Sequence, residues 1–167
     1  MNTTNKEQLK KEILQAVQSG DIAKLYMLEQ KVNDTFDEKT VLDYYKNILD
    51  LAIERLTDIL DIESLSKFKM SDVQDFATVR ALYEYAMEHY HAGKKDDASA
   101  LFEILSGVTD DEKFSKAMQI HTIAAQKGID LDTFLEKYVD MSAVENSGNF
   151  YISDFTKEAE TLSKESI

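Results

Sequence analysis

Apolar side chains recur along this chain every three to four residues, in block after block, and no segment shows the strict apolar/polar alternation of a half-exposed strand. The first block puts Leu9, Ile13, Leu14 and Val17 on one helical face, between a capping box at Thr4-Asn-Lys-Glu7 and a stop at Gly20. Asp21 stands where it can cap a second helix to about Val32, with Ile22, Leu25 and Leu28 inward; helix, short turn, helix is an antiparallel hairpin. After a polar turn from Asn33 to Lys39 comes the strongest stripe, about Thr40 to Leu60, carrying Val41, Tyr45, Ile48, Leu49, Ala52, Leu56, Ile59 and Leu60. Leu42, Leu51 and Ile53 widen that stripe, so this helix is expected to pack on more than one side. Asp61 to Met70 is charged and irregular, and reads as a hinge.

Ser71-Asp-Val-Gln74 is a second capping box, ahead of a helix to about Ala92 with Val73, Phe76, Val79, Leu82, Tyr83, Ala86 and Tyr90. Gly93 turns the chain into a helix with Ala98, Leu101, Phe102 and Leu105 that ends at Gly107. Thr109-Asp-Asp-Glu112 is a third capping box, leading a helix with Phe114, Ala117, Met118, His121 and Ala124 to Gly128. A shorter helix carries Leu131, Phe134, Leu135 and Tyr138; Met141 to Ile152 reads as a loop, and Ser153 as the cap of a last short helix bearing Phe155 and Leu162. The expectation is an all-α protein of about seven to eight helices. It divides into a hairpin plus long helix (1–60), a hinge (61–70), further hairpins (71–140) and a C-terminal segment (141–167), within one compact domain.

Composition supports the pattern. There is no Pro and there are only five Gly, whereas folds of strands and tight turns spend both on their corners. The absence of Cys removes disulfides, thiolate metal sites and thiol nucleophiles together. A formal charge of −13 repels a phosphate backbone, so nucleic acid is not an expected partner. No window approaches the roughly 18 apolar residues of a membrane span, and the N-terminus lacks a signal-peptide core. A cytoplasmic protein without membrane insertion is the expectation.

The turn glycines at 20, 93 and 128 are separated by 73 and 35 residues, the first spacing close to twice the second, as in stacked helical hairpins. The stretch Leu82 to Leu105, LYEYAMEHYHAGKKDDASALFEIL, resembles a tetratricopeptide repeat: Leu82 at the large first-helix position, small Ala86 and Ala98 where the helices approach, Gly93 at the turn and Phe102 behind. More narrowly, its Leu-Tyr, Gly-Lys, Asp-Ala and Phe resemble the first repeat of class II chaperones of type III secretion. The resemblance implies stacked antiparallel hairpins in a right-handed array, and a chaperone holding an extended partner segment in its concave face. The Gly128 hairpin departs from it, with His121 and Thr133 at the two small positions.

In the register that this resemblance implies, Arg80, Tyr83, Met87, Tyr90 and His91 line the inner face as the candidate partner-binding residues. Tyrosine offers broad apolar area with a hydrogen-bonding tip, and methionine adapts to varied surfaces. Packing of Tyr83 and Tyr90 against the neighbouring hairpin is the competing reading. If they face a partner, Tyr83→Ala with Tyr90→Ala leaves the fold intact.

Candidate chemistry is sparse. His89 and His91 point about 200° apart on a helix and cannot share a metal. His91-Ala-Gly-Lys94 is a loose echo of a phosphotransfer histidine, but Gly93 ends the helix where that chemistry needs it to continue. The carboxylate pairs Asp96-Asp97, Asp110-Asp111 and Glu158 with Glu160 lie at helix starts or on polar faces. No cofactor, metal or catalytic residue is expected. The function expected is non-enzymatic protein binding, as chaperone or adaptor, with self-association into a homodimer left open. The alternatives are an acidic immunity or inhibitor protein matched to a basic toxin or nuclease, and a subunit of a larger assembly.

Overall fold

A computed structural model describes residues 3–61 and 66–165 of the chain. The described residues form nine helices, eight of them of seven residues or more, with no strand among them. In chain order these are α1 (Thr3–Ser19), α2 (Ile22–Thr35), α3 (Glu38–Ile59), α4 (Val73–His91), α5 (Lys95–Gly107) and α6 (Glu112–Gln126). They are followed by α7 (Leu131–Thr133), which runs on into a π-helical turn (Phe134–Tyr138), then α8 (Met141–Ser147) and α9 (Ala159–Glu165).

Aspartates open most of these helices, because a short carboxylate accepts from the free N–H groups of the first turn. Asp21 caps α2 through Lys24 N–H at 3.0 Å, as its position predicts. At two of the predicted capping boxes the boundary lies further on. Asp72, not Ser71, caps α4, and Asp111, not Thr109, caps α6. A carboxylate takes the cap in preference to a nearby hydroxyl because its negative charge also meets the positive end of the helix dipole. Gln74 is thereby freed from its predicted reach-back; its side chain instead holds Ala23 N–H and Asp21 on α2. The box at Thr4 rests on a side chain outside those described.

Consecutive helices pack side by side: α1 on α2, α2 on α3 and α4, α3 on α4, α4 on α5, α5 on α6. Ala86 and Ala98 are fully buried at the α4–α5 contact, with Leu82 and Phe102 filling around them. Gly93, at φ +81°, makes the left-handed bend between these two helices that a side chain resists. One buried apolar cluster runs from Leu9 to Leu162 through every described helix but α7 and α8. Both arginines of the chain sew α4 to the N-terminal helices, Arg55 on α3 reaching Asp75 and Arg80 on α4 reaching Glu29.

Residues 62–65 of the expected hinge lie outside the described residues. Beyond them, the chain ahead of α4 is pinned to the body. Phe68 is buried, its N–H donates to Val108 O at 2.7 Å, and its carbonyl accepts from Asp110 N–H at 3.0 Å. The C-terminal segment also departs from its sequence reading. Met141–Ser147 is helical, and the last helix starts at Ala159, so Ser153 caps nothing and is buried. Between Gly148 and Thr156 the chain runs without helix, and Tyr151 and Ile152 turn into the interior.

Candidate functional site

The five residues expected to share one free surface are dispersed by the fold. Tyr83 is 4 % exposed and Tyr90 1 %, both inside the apolar cluster. Tyr83 faces α6 and the C-terminal segment: its ring meets His121, Phe102, Phe150 and Tyr151 with centroids 5.5 to 6.3 Å apart. Tyr90 packs on Phe102 and Phe134, and its hydroxyl donates to Ile129 O at 2.6 Å, tying α4 to the turn after Gly128. Arg80 points the other way, toward α2. Its guanidinium lies 4.0 Å from the centroid of the Tyr26 ring and pairs with Glu84 at 2.9 Å and Glu29 at 3.4 Å. Met87 is half-buried against the core, and His91 is exposed at the end of α4.

The aromatic face is therefore occupied by the chain itself. Phe150, Tyr151 and Phe155 fill it, with Phe150 also edge-on to Phe76 and Tyr151 edge-on to Phe114. In the sequence, Phe150-Tyr151-Ile152 falls in the stretch from Met141 to Ile152 that reads as a loop. Its signal was three consecutive large apolar residues in an otherwise polar stretch.

At the centre of that packing lies His121, fully buried on α6. Its Nδ1 is 2.6 Å from Ala117 O, an acceptor only, so Nδ1 carries the proton and Nε2 accepts. Tyr83 Oη, 2.9 Å away, donates to Nε2 and accepts from Ile152 N–H at 3.1 Å. Burial without a charged neighbour pushes the imidazole pKa down to about 4 and the Tyr83 phenol up. Both imidazole nitrogens, the Tyr83 hydroxyl proton and the Ile152 N–H are thus each paired within this chain of contacts. Among the described residues, no group of three His, Asp or Glu comes together as a metal site.

Open apolar surface lies elsewhere. Between α1, the end of α2 and the start of α3 runs a groove of about 600 Å³. Ile13, Leu14, Val17, Val32, Phe36 and Tyr44 line it. Lys6 and Lys10 stand at its α1 wall, Asp37 and Asp43 at its α3 wall. Leu14 is 57 % exposed there, although it belongs to the stripe that the sequence turns inward. The groove persists because α1 leans on α2, through the buried Leu9 and Ala16, more than on α3. No described helix is long and apolar enough to cross a membrane.

Set against models of protein families, curated proteins and solved structures, the chain matches none of them.

Proposed function

We propose that this protein is a non-enzymatic binding module that holds a segment of another protein in the groove between α1 and α3. The reading rests on one observation: an apolar floor with Leu14 more than half exposed, bordered by lysines on one wall and aspartates on the other. Exposed apolar surface of this kind costs a monomer solubility and is commonly retained for docking. A floor of Ile, Leu, Val, Phe and Tyr supplies non-directional affinity, while walls of opposite sign orient what lies between them. A chaperone or adaptor role fits this surface, and the cytoplasm remains the compartment proposed. The tetratricopeptide-like docking face at Tyr83 and Tyr90 is not part of the proposal, since the chain's own aromatic residues occupy it.

The experiment is affinity capture from the cell that makes the protein, comparing the natural chain with Leu14→Glu at low and high salt. The expected result is one protein retained in near-stoichiometric amount, resistant to salt and lost with Leu14→Glu, while circular dichroism shows an unchanged fold. Retention that survives Leu14→Glu, or that salt alone abolishes, rejects the groove as the site.

A further inference from the structure

A second exposed apolar surface lies on α3. Along α3 and its C-terminal cap, Leu42, Leu49, Ile53 and Leu60 are spaced seven, four and seven residues apart, which places them within an arc of about 40°. Three of these residues face outward and Leu49 is half-buried. Leu42 is 62 % exposed, Ile53 39 % and Leu60 51 %, while the buried face of the helix is carried by Tyr44, Ile48, Ala52 and Leu56. This explains the over-wide stripe of the sequence: one side packs the core and the other is unpartnered.

Both flanks of the arc carry acid. Asp43, Asp50 and Glu54 follow about 80–120° further round the helix and are all exposed. Across the arc's other edge a groove of about 270 Å³ separates α3 from α4, with Leu42, Tyr45 and Leu49 on one wall and Tyr85, Glu84 and Glu88 on the other. Glu84 is engaged by Arg80, whereas Glu88 is exposed at the groove. Lys46 is the single cation among the residues lining this groove, and it lies toward the start of α3.

We infer that this face of α3 docks an amphipathic helix of another protein, with leucine-like side chains along one face and lysines or arginines on both flanks. The spacing of seven, four and seven matches the seam along which two helices pack, so a helix is the shape that fits it. The charge selects the partner: basic flanks meet Asp50 and Glu54 on one side and Glu88 on the other. A second copy is the wrong occupant, because two α3 faces would bring their acidic flanks together in molecules that each carry −13.

The probe is a fluorescent synthetic helix of about 18 residues, with a leucine face and lysine flanks, titrated into the full chain. Two control peptides carry the same leucines with glutamate flanks, or the same lysines with serines for leucines. Saturable binding of the first alone is expected, with the peptide gaining helicity. Leu42→Ser with Leu60→Ser, and separately Asp50→Lys with Glu54→Lys, should each weaken it about tenfold or more. Charge reversal at two exposed acids elsewhere, Glu136→Lys with Glu145→Lys, should leave the affinity within about twofold. Equal weakening by both reversals, or equal binding of the serine peptide, shows diffuse attraction to an acidic protein and overturns the inference. A dimer in sedimentation equilibrium that Leu42→Ser with Leu60→Ser dissolves overturns it in favour of self-association. The α1–α3 groove is judged independently, by Leu14→Glu.

Discussion

The Tyr83 hydroxyl stands 2.9 Å from Nε2 of His121, and this contact joins three separate parts of the chain. Tyr83 comes from α4, His121 from α6, and the same hydroxyl receives the N–H of Ile152 from the C-terminal segment. A buried neutral imidazole is tolerated because its two nitrogens are both satisfied, one by Ala117 and one by Tyr83. Four predictions concern this centre and the turns that frame it.

Tyr83→Phe keeps the ring and removes the hydroxyl. It leaves Nε2 of His121 without its donor and Ile152 N–H without its acceptor, in an interior that water does not enter. The expected loss is about 2–3 kcal/mol, more than a neutral hydrogen bond is worth, because two partners are stranded. Urea unfolding measures it, and hydrogen exchange should show the Ile152 amide deprotected.

Acid should destabilise the protein through His121. Its pKa is about 4 when folded, against 6.5 as the ordinary value. Between those values the unfolded chain binds a proton that the folded chain refuses, so stability falls as pH drops from about 6.5 to about 4 and levels below that. The full swing is about 3 kcal/mol. Surface carboxylates titrate alike in the natural chain and in His121→Gln, so the difference between their unfolding curves isolates the effect. Parallel curves from pH 7 to 4 would show that His121 is not the group responsible.

Tyr83→Ala with Tyr90→Ala should abolish the fold, contrary to what a partner-facing pair would do. Each deletion removes a buried ring at a cost of about 3–5 kcal/mol, and together they match the whole stability of an ordinary domain. Loss of the helical signal in circular dichroism is the expected reading at 25 °C.

Two glycines should respond with opposite sign to alanine. Nothing lies within 4 Å of a Cβ added at either Gly93 or Gly107, so only backbone conformation decides. At Gly93 the left-handed φ of +81° makes Gly93→Ala cost about 1 kcal/mol. Gly107 is the last residue of α5 and has no such angle, so Gly107→Ala should gain a few tenths of a kcal/mol, about half of the interior helical preference. Thermal midpoints of the two variants, moving apart, check both.

Local signals made most of the helices legible. Gly20, Gly93 and Gly128 mark bends in the sequence and adopt positive φ in the fold; Asp21 reads as a cap and is one. The apolar stripes of α2 through α6 name most of the core, since a period near 3.6 states which face is buried without any reference to a neighbour. Capping was legible in kind but not in position, because Ser71 and Thr109 compete with carboxylates one or two residues on.

The sequence by itself determined an all-helical chain with Tyr83 and Tyr90 on the same side of α4. Only the tertiary structure decided what covers them. Phe150 lies 67 residues beyond Tyr83, and nothing local records that an unstructured stretch will fold back across α4 and α6. Periodicity fixes direction about a helix axis, but burial depends on which other surface arrives there. For the same reason the stripes at Leu14 and at Leu42, Ile53 and Leu60, written like core, face solvent where no described helix covers them.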